Sequence, residues 1–540
     1  MDATTSGFML VPHGYCEQGR LQLWIGAHRE LLPERMWLRC TPQDAGPVPA
    51  HESSNGDIPV ELERAVPSLR YTLLHLPVIA GRRYHLSLWG EEKIGEAAKL
   101  ADAECRARPD NLADGFNVWY GSCFYGKEDG GALGAAFDAL PPNCRPDVSF
   151  LGGDQVYLDT AVATSGWGFR PIPGLSLFKS QRLARMSDSA CKAELNRIFS
   201  EEYRNNWGEG LYRVLRSGNH HFLAGDHEFW NDYPNAPGFF GGLKQKNLQQ
   251  TWRECAQAMF DAYQLPAGNA SGQFAIGDEL EFFYLDTCLQ RQPGYDTEFT
   301  DAVTLARVCT WLRELTCPGV LVLPAPLLTN WHLRQGKSFK DNLKGTISAL
   351  AVKMGFGDHS LADTSQYEPL VQALNDCPQD ILILAGDVHY SRLAQMELNG
   401  KQVVEVVSTA LSCLPSAGSK PEKKPVIFPD RPIAGIRTAV DFLRVGNARK
   451  KFVGHISDNN FATLNFSRVK DGINVHVRCW SVNQRDDDGI PKHDWEPEDF
   501  LLRRRTPASN MTASPGREPV AEPIGELPRE VKELVAETQD

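Results

Sequence analysis

Short apolar runs that stop at glycine recur along the chain. Val148 to Leu151, His221 to Ala224 and Ile381 to Ala385 lack polar alternation, the pattern of strands buried on both faces. Leu280 to Leu285, Val320 to Leu323 and Val403 to Ser408 read as further strands. Helical segments are predicted between them over Gly131 to Leu140, Ser189 to Arg216, Lys244 to Tyr263, Asp301 to Leu315 and Glu368 to Asn375. Strand alternating with helix predicts an α/β architecture with layers around a central sheet. Phe461 to Ser467 and Ile473 to Trp480, joined across Lys470-Asp-Gly, predict a closing hairpin.

The pattern differs before and after this region. From about residue 8 to 90, alternations such as Leu21-Gln-Leu-Trp-Ile and Arg83-Tyr-His-Leu-Ser-Leu-Trp predict a small all-β sandwich. A polar, alanine-rich stretch from Glu91 to Arg108 is expected to be helical. The expected organisation is therefore a β-sandwich over 1–92, a helical linker over 93–116, an α/β domain over 117–505 and a tail over 506–540. The tail is rich in proline, serine and charge, and is read as disordered but for a short charged helix from Arg529 to Thr538. Two insertions, Thr164 to Lys179 and Leu414 to Pro432, are read as loops. The first can wall the site or form an ordered surface loop, and the second is read as solvated.

Candidate chemistry sits where the apolar runs end. Three strands run into Gly153-Asp154-Gln-Val-Tyr157, Gly225-Asp226-His227-Glu228 and Gly386-Asp387-Val-His389. Strand ends at one sheet edge are where open α/β folds bind ligands. Three aspartates converging there would raise one another's pKa unless a cation neutralised them, so the pattern points to metal. A fourth strand, ending Gly121-Ser-Cys123, adds a thiol that coordination can deprotonate. Carboxylate, phenol and imidazole donors suit iron beside a second, oxygen-loving ion.

The ordered set of motifs, from Cys123 through Asp154 and Tyr157, Asp226-His227-Glu228 with Asn231-Asp232, to Asp387 and His389, resembles the alkaline phosphatase D (PhoD-like) branch of the calcineurin-like metallophosphoesterases. The resemblance spans about Asn117 to Trp480. It implies a two-sheet α/β sandwich flanked by helices and preceded by a fibronectin type III-like β-sandwich. It further implies that Cys123, Tyr157 and His389 hold an iron, that Asp154 bridges two metals, and that Asp226 and Asp387 hold the second metal, calcium in the type members. His227 corresponds to the family's catalytic histidine, with Glu228 expected to orient or tune it, and Asn231 and Arg291 are expected to contact substrate. Two departures stand out. Gly225 occupies a position where many members have aspartate, and Leu285-Asp-Thr-Cys288 replaces a Leu-Asp-Thr-Arg segment.

What the resemblance implies is hydrolysis of a small phosphate ester, mono- or diester, by a hydroxide generated at a binuclear centre. An alternative is a catalytically idle relative that binds a phosphorylated ligand or partner. A third reading makes Cys123 a nucleophile with His220, His221 or His389 as base, but no local triad pattern favours it.

Composition narrows the setting. A net charge of -12 over 540 residues argues against non-specific nucleic-acid binding. The short basic clusters Lys420 to Lys424 and Arg503 to Arg505 are read as solvated loop charges. No apolar run approaches the roughly 20 residues of a membrane helix. No signal peptide or twin-arginine signal is read at the start, and thirteen scattered cysteines fit reduced thiols, so a cytoplasmic location is expected. Scarce cytosolic calcium would favour manganese, magnesium or a second iron at the second site.

Overall fold

In the computed structural model the expected parallel strands form the middles of two sheets. The structure describes residues 7–15, 19–29, 31–43, 57–91, 95–164, 180–235, 245–294, 296–328, 360–412, 425–446, 448–450, 455–457 and 459–505. A ten-stranded sheet runs in the order Pro491–Leu502, Gly472–Arg485, Asn460–Val469, Phe116–Gly121, Val148–Gly152, Asn219–Leu223, Phe8–Tyr15, Arg20–Ala27, Leu69–Pro77 and Arg64–Val66. An eight-stranded sheet holds Leu280–Tyr284, Gly319–Val322, Ile381–Ala385 and Lys401–Val407 as parallel neighbours at its centre.

Strand alternation explains how the two sheets face each other. Val118, Tyr120, Val148 and Phe150 of the first pack on Phe282, Val320, Leu382 and Leu384 of the second in one buried cluster. Phe150 and Phe282 stack with ring centres 6.0 Å apart. The intervening residues point outward. Trp119, Leu151 and Phe222 share a core with the helices Asp188–Asn205 and Lys246–Tyr263. Phe283, Leu321 and Ile383 share another with Ala302–Glu314 and Tyr367–Asp376. The layers run helix, sheet, sheet, helix, as expected. Among the described residues no helix is long and apolar enough to cross a membrane.

The stretch expected to be a helical linker is a strand, Ala97–Arg106, paired antiparallel with Arg83–Glu91. Alanine favours helix only weakly against tertiary packing. Here the small side chains Ala101, Ala103 and Cys105 close one face of a core that also contains Leu38, Leu86 and Leu88. Opposite them, Phe8, Leu10, Leu23 and Ile25 come from strands that belong to the ten-stranded sheet, so the N-terminal layers are continuous with the rest. The chain to Arg505 makes one compact unit; residues 506–540, 165–179 and Lys420 to Lys424 lie outside the described residues.

Two expected loops differ. Val426–Ile433, overlapping the end of the second insertion, is an edge strand paired with Ile436–Val445, a position that tolerates its two prolines. In the Arg503 to Arg505 cluster, Arg503 and Arg504 are exposed as expected, Arg504 Nε also donating to the Thr316 carbonyl at 3.1 Å, whereas Arg505 is half-buried with its Nε on Asp380 Oδ1 at 2.6 Å.

The joint between the N-terminal strands and the parallel strands of the ten-stranded sheet is lined by histidines. His13 and His220 are register partners across the parallel pair, while His221 Nε2 accepts the Tyr15 N–H at 3.1 Å and stacks on Phe150 and Phe274. Burial lowers His13 to about 4 and His220 to about 3. The unfolded chain therefore takes up a proton below its ordinary pKa near 6.5 while the folded chain does not, so this contribution to stability is lost as pH falls from 6.5 toward 3. At pH 5 the loss is ~2 kcal/mol for His220 alone. We expect His220→Phe to gain that much relative to wild type between pH 8 and pH 5, measured by denaturant unfolding at both; a pH-independent difference would refute it.

Candidate metal centre

The carboxyl ends of the parallel strands of both sheets open into one cleft of about 510 Å³, its mouth included. Its walls carry Cys123, Asp154, Asp226, Asp232 and Asp387, with Arg291 as a cation. The loops are knitted to one another: Cys123 N–H donates to the Gly153 carbonyl at 3.0 Å, Phe124 N–H to the Asp154 carbonyl at 2.7 Å, and Asp387 N–H to Ser122 Oγ at 3.1 Å. Cys123, Asp154, Asp232 and Asp387 have left-handed backbones, with φ of 61°, 57°, 66° and 71°. Such conformations cost on the order of 1–3 kcal/mol each and persist where surrounding structure holds them.

Two groups of ligand atoms gather within 4.8 Å, Cys123 with Asp154 and Asp387, and Asp154 with Asp226 and His227. Asp154 belongs to both. Cys123 Sγ lies 3.6 Å from Asp154 Oδ2. The fully buried Tyr157 packs in a small cluster with Cys123, and its ring centre is 4.3 Å from that of His227. Asp387 gathers with Cys123 and Asp154, Asp226 with Asp154 and His227, and His389 is in neither group. His389 follows Asp387 in another left-handed backbone, φ 56°.

Without a cation the cluster is electrostatically uncomfortable. Burial raises the Asp154 carboxyl well above its usual range, and Cys123, Asp226 and Glu228 add to this while His227 opposes it. Burial and then Asp387 push the Cys123 thiol up to about 12, against hydrogen bonds from Ser122, Thr409 and Tyr157. Burial would lower the His227 pKa, but the carboxylates of Asp159, Asp226 and Asp154 outweigh it and raise it. A thiol, an imidazole and three carboxylates in two groups sharing one member form a donor set that fits two metal ions.

The partner of His227 is not the one expected. Glu228 accepts backbone N–H groups from Asp154 at 2.9 Å, Gln155 at 2.7 Å and Gly225 at 2.8 Å, and so faces the turns instead of the imidazole. The ring is held by Asp159, whose Oδ1 lies 3.0 Å from His227 Nδ1. Asp159 opens the short helix Leu158–Thr164, where an acidic residue is ordinary, so only its five-residue spacing from Asp154 could have flagged it. Asn231 is buried, gives its N–H to Asp159 Oδ2 at 3.2 Å and is not among the cleft-lining residues; Asp232, Tyr233, Thr287 and Cys288 are. Arg291 lines the cleft as expected. Gly225 has a local reason: a Cβ there would collide with Asp154 Oδ1, so aspartate does not fit this turn.

No protein-family model and no curated protein sequence matches the chain. Among solved structures, that of PhoD aligns over 95% of this chain and 93% of its own, with 12% identity and a TM-score of 0.55, and so shares the fold. A purple acid phosphatase from yellow lupin (Lupinus luteus) seeds aligns over 92% of this chain and 74% of its own, at 12% identity and a TM-score of 0.46.

Proposed function

We propose that the chain is a PhoD-like, metal-dependent phosphoester hydrolase with a binuclear centre. The observation that carries this reading is the membership of Asp154 in both ligand groups, at the cleft into which both sheets open. Cys123 and Asp387, with Tyr157 beside them, would hold an iron, and Asp226 would hold a second divalent ion, calcium, manganese or magnesium, with Asp154 between the two. Bound metals supply Lewis acidity and activation of the nucleophile for in-line displacement.

The remaining work falls to side chains. His227, whose pKa its carboxylate neighbours raise and whose Nδ1 is fixed by Asp159, offers its other ring nitrogen to the departing oxygen. Arg291 gives the cleft a cation for a phosphate oxygen or an acidic leaving group. A small phosphate ester is the proposed substrate and the cytoplasm the proposed location. The idle-relative reading is weaker, because ligand residues line the open cleft and the His227–Asp159 pair is assembled directly against one ligand group.

Elemental analysis of purified protein, paired with turnover of an aryl phosphomonoester and an aryl phosphodiester, tests the proposal. We expect iron, a second metal and hydrolysis of at least one ester. Protein that carries no metal, cannot be reconstituted and turns over neither ester would overturn it in favour of binding without catalysis.

A further inference from the structure

Glu228 and Asp286 are buried carboxylates that belong to neither ligand group. Their hydrogen bonds come from the backbone, apart from a long one to Glu228 from Gln264 Nε2 at 3.5 Å. Glu228 takes the N–H groups of Asp154, Gln155 and Gly225, one turn from each side of the metal centre. Asp286 takes the Ala224 N–H at 2.7 Å, then Cys288 and Leu289 at 3.0 and 2.8 Å, and is itself held by its N–H to Ser271 Oγ at 2.9 Å. The consecutive residues Ala224 and Gly225 thus donate to different carboxylates. A continuous chain of charge-assisted bonds runs from the Asp154 turn through Glu228 to the Asp226 turn, and on through Asp286 to the loop bearing Arg291, whose N–H closes on the Cys288 carbonyl at 3.1 Å.

We propose that Glu228 and Asp286 are positioning residues that set the spacing of the two metal-binding turns and register the Arg291 loop against them; this rests on the metallophosphoesterase reading above. The physical case is that a buried carboxylate without a basic partner is expensive, so its worth lies in the geometry it enforces. The Asp154 turn, left-handed at φ 57°, and the Asp226 turn need their N–H groups fixed if Asp154 is to serve both groups at once. Oε2 of Glu228 accepts from both turns, at Asp154 and Gly225, while Oε1 accepts from Gln155; an amide satisfies only one of these two sides, because its NH₂ would confront the backbone donor on the other. The two residues should therefore fail differently. Loss of Glu228 acts on the metals, while loss of Asp286 acts on substrate binding through Arg291.

The test uses the full chain stripped with chelator and titrated with Mn²⁺, followed by kinetics on an aryl phosphate ester. Glu228→Gln is expected to weaken Mn²⁺ binding by about 10- to 100-fold, with turnover partly recovered at high Mn²⁺. Asp286→Asn should keep the metal affinity of wild type and raise KM by about tenfold with a smaller change in kcat. Glu228→Asp retains the charge but is one methylene short, and should resemble Glu228→Gln; it carries the same test if the glutamine variant does not fold. A Glu228→Asp protein with wild-type Mn²⁺ affinity, or a Glu228→Gln protein whose only change is a shifted pH profile of kcat, would overturn the role given to Glu228. An unchanged KM in Asp286→Asn would overturn that given to Asp286. Wild-type protein that neither binds Mn²⁺ nor turns over the ester would instead overturn the reading beneath both.

Discussion

Asp154→Asn is expected to remove both metals and all measurable turnover while leaving the fold intact. The carboxylate is the only member common to the two ligand groups among the described residues. Asparagine keeps a carbonyl oxygen for the His227 N–H, which reaches Asp154 Oδ1 at 3.1 Å, so the turn retains that contact. What asparagine lacks is the second anionic oxygen and the charge. The metal-free variant should be at least as stable as metal-free wild type, because burial and neighbouring carboxylates already hold the Asp154 carboxyl far above its ordinary pKa. Metal binding adds stability only to a protein that binds it, about 4 kcal/mol when free metal is a thousandfold above its Kd. Chelator should therefore lower the Tm of wild type and leave that of Asp154→Asn unmoved. Full occupancy of either metal in the variant, or a chelator-sensitive Tm, would defeat the bridging role.

Much of this architecture is legible in the sequence, because strands buried on both faces read as uninterrupted apolar runs and glycine marks where they end. Val148–Gly152, Asn219–Leu223 and Ile381–Ala385 lie within two residues of their expected positions, and each places an aspartate at the cleft. Pairing partners are harder to see. Ala97–Arg106 carries a helix-forming composition, and only the facing hydrophobic layer makes it a strand. The same limit applies within the site. Glu228 adjoins His227 in the chain yet turns to the backbone, while Asp159, in the helix Leu158–Thr164, reaches the imidazole. Adjacency in sequence says little about which side chains meet once a turn intervenes. His389 illustrates the converse, since its motif fits a ligand while its ring joins neither group.

The second large effect concerns His227, where the leaving group decides the magnitude. His227→Ala should retain both metals, because Asp154 and Asp226 remain in the second group and the first is untouched. A departing alkoxide is a strong base and needs a proton in the transition state, so loss of a positioned acid should slow an alkyl phosphate ester by about 100- to 10,000-fold. A nitrophenolate leaving group is stable as the anion, and the same variant should lose far less on that substrate. The ratio of the two losses separates proton donation from general damage, which would slow both alike. Asp159→Asn should move the ratio in the same direction by a smaller amount, since the amide still meets the Asn231 N–H but cannot hold His227 charged through Nδ1. Equal losses on alkyl and aryl esters, together with loss of one metal, would make His227 a ligand in the group it shares with Asp154 and Asp226. Equal losses with both metals retained would leave the imidazole a binding role only, and the proton would have to come from elsewhere in the cleft.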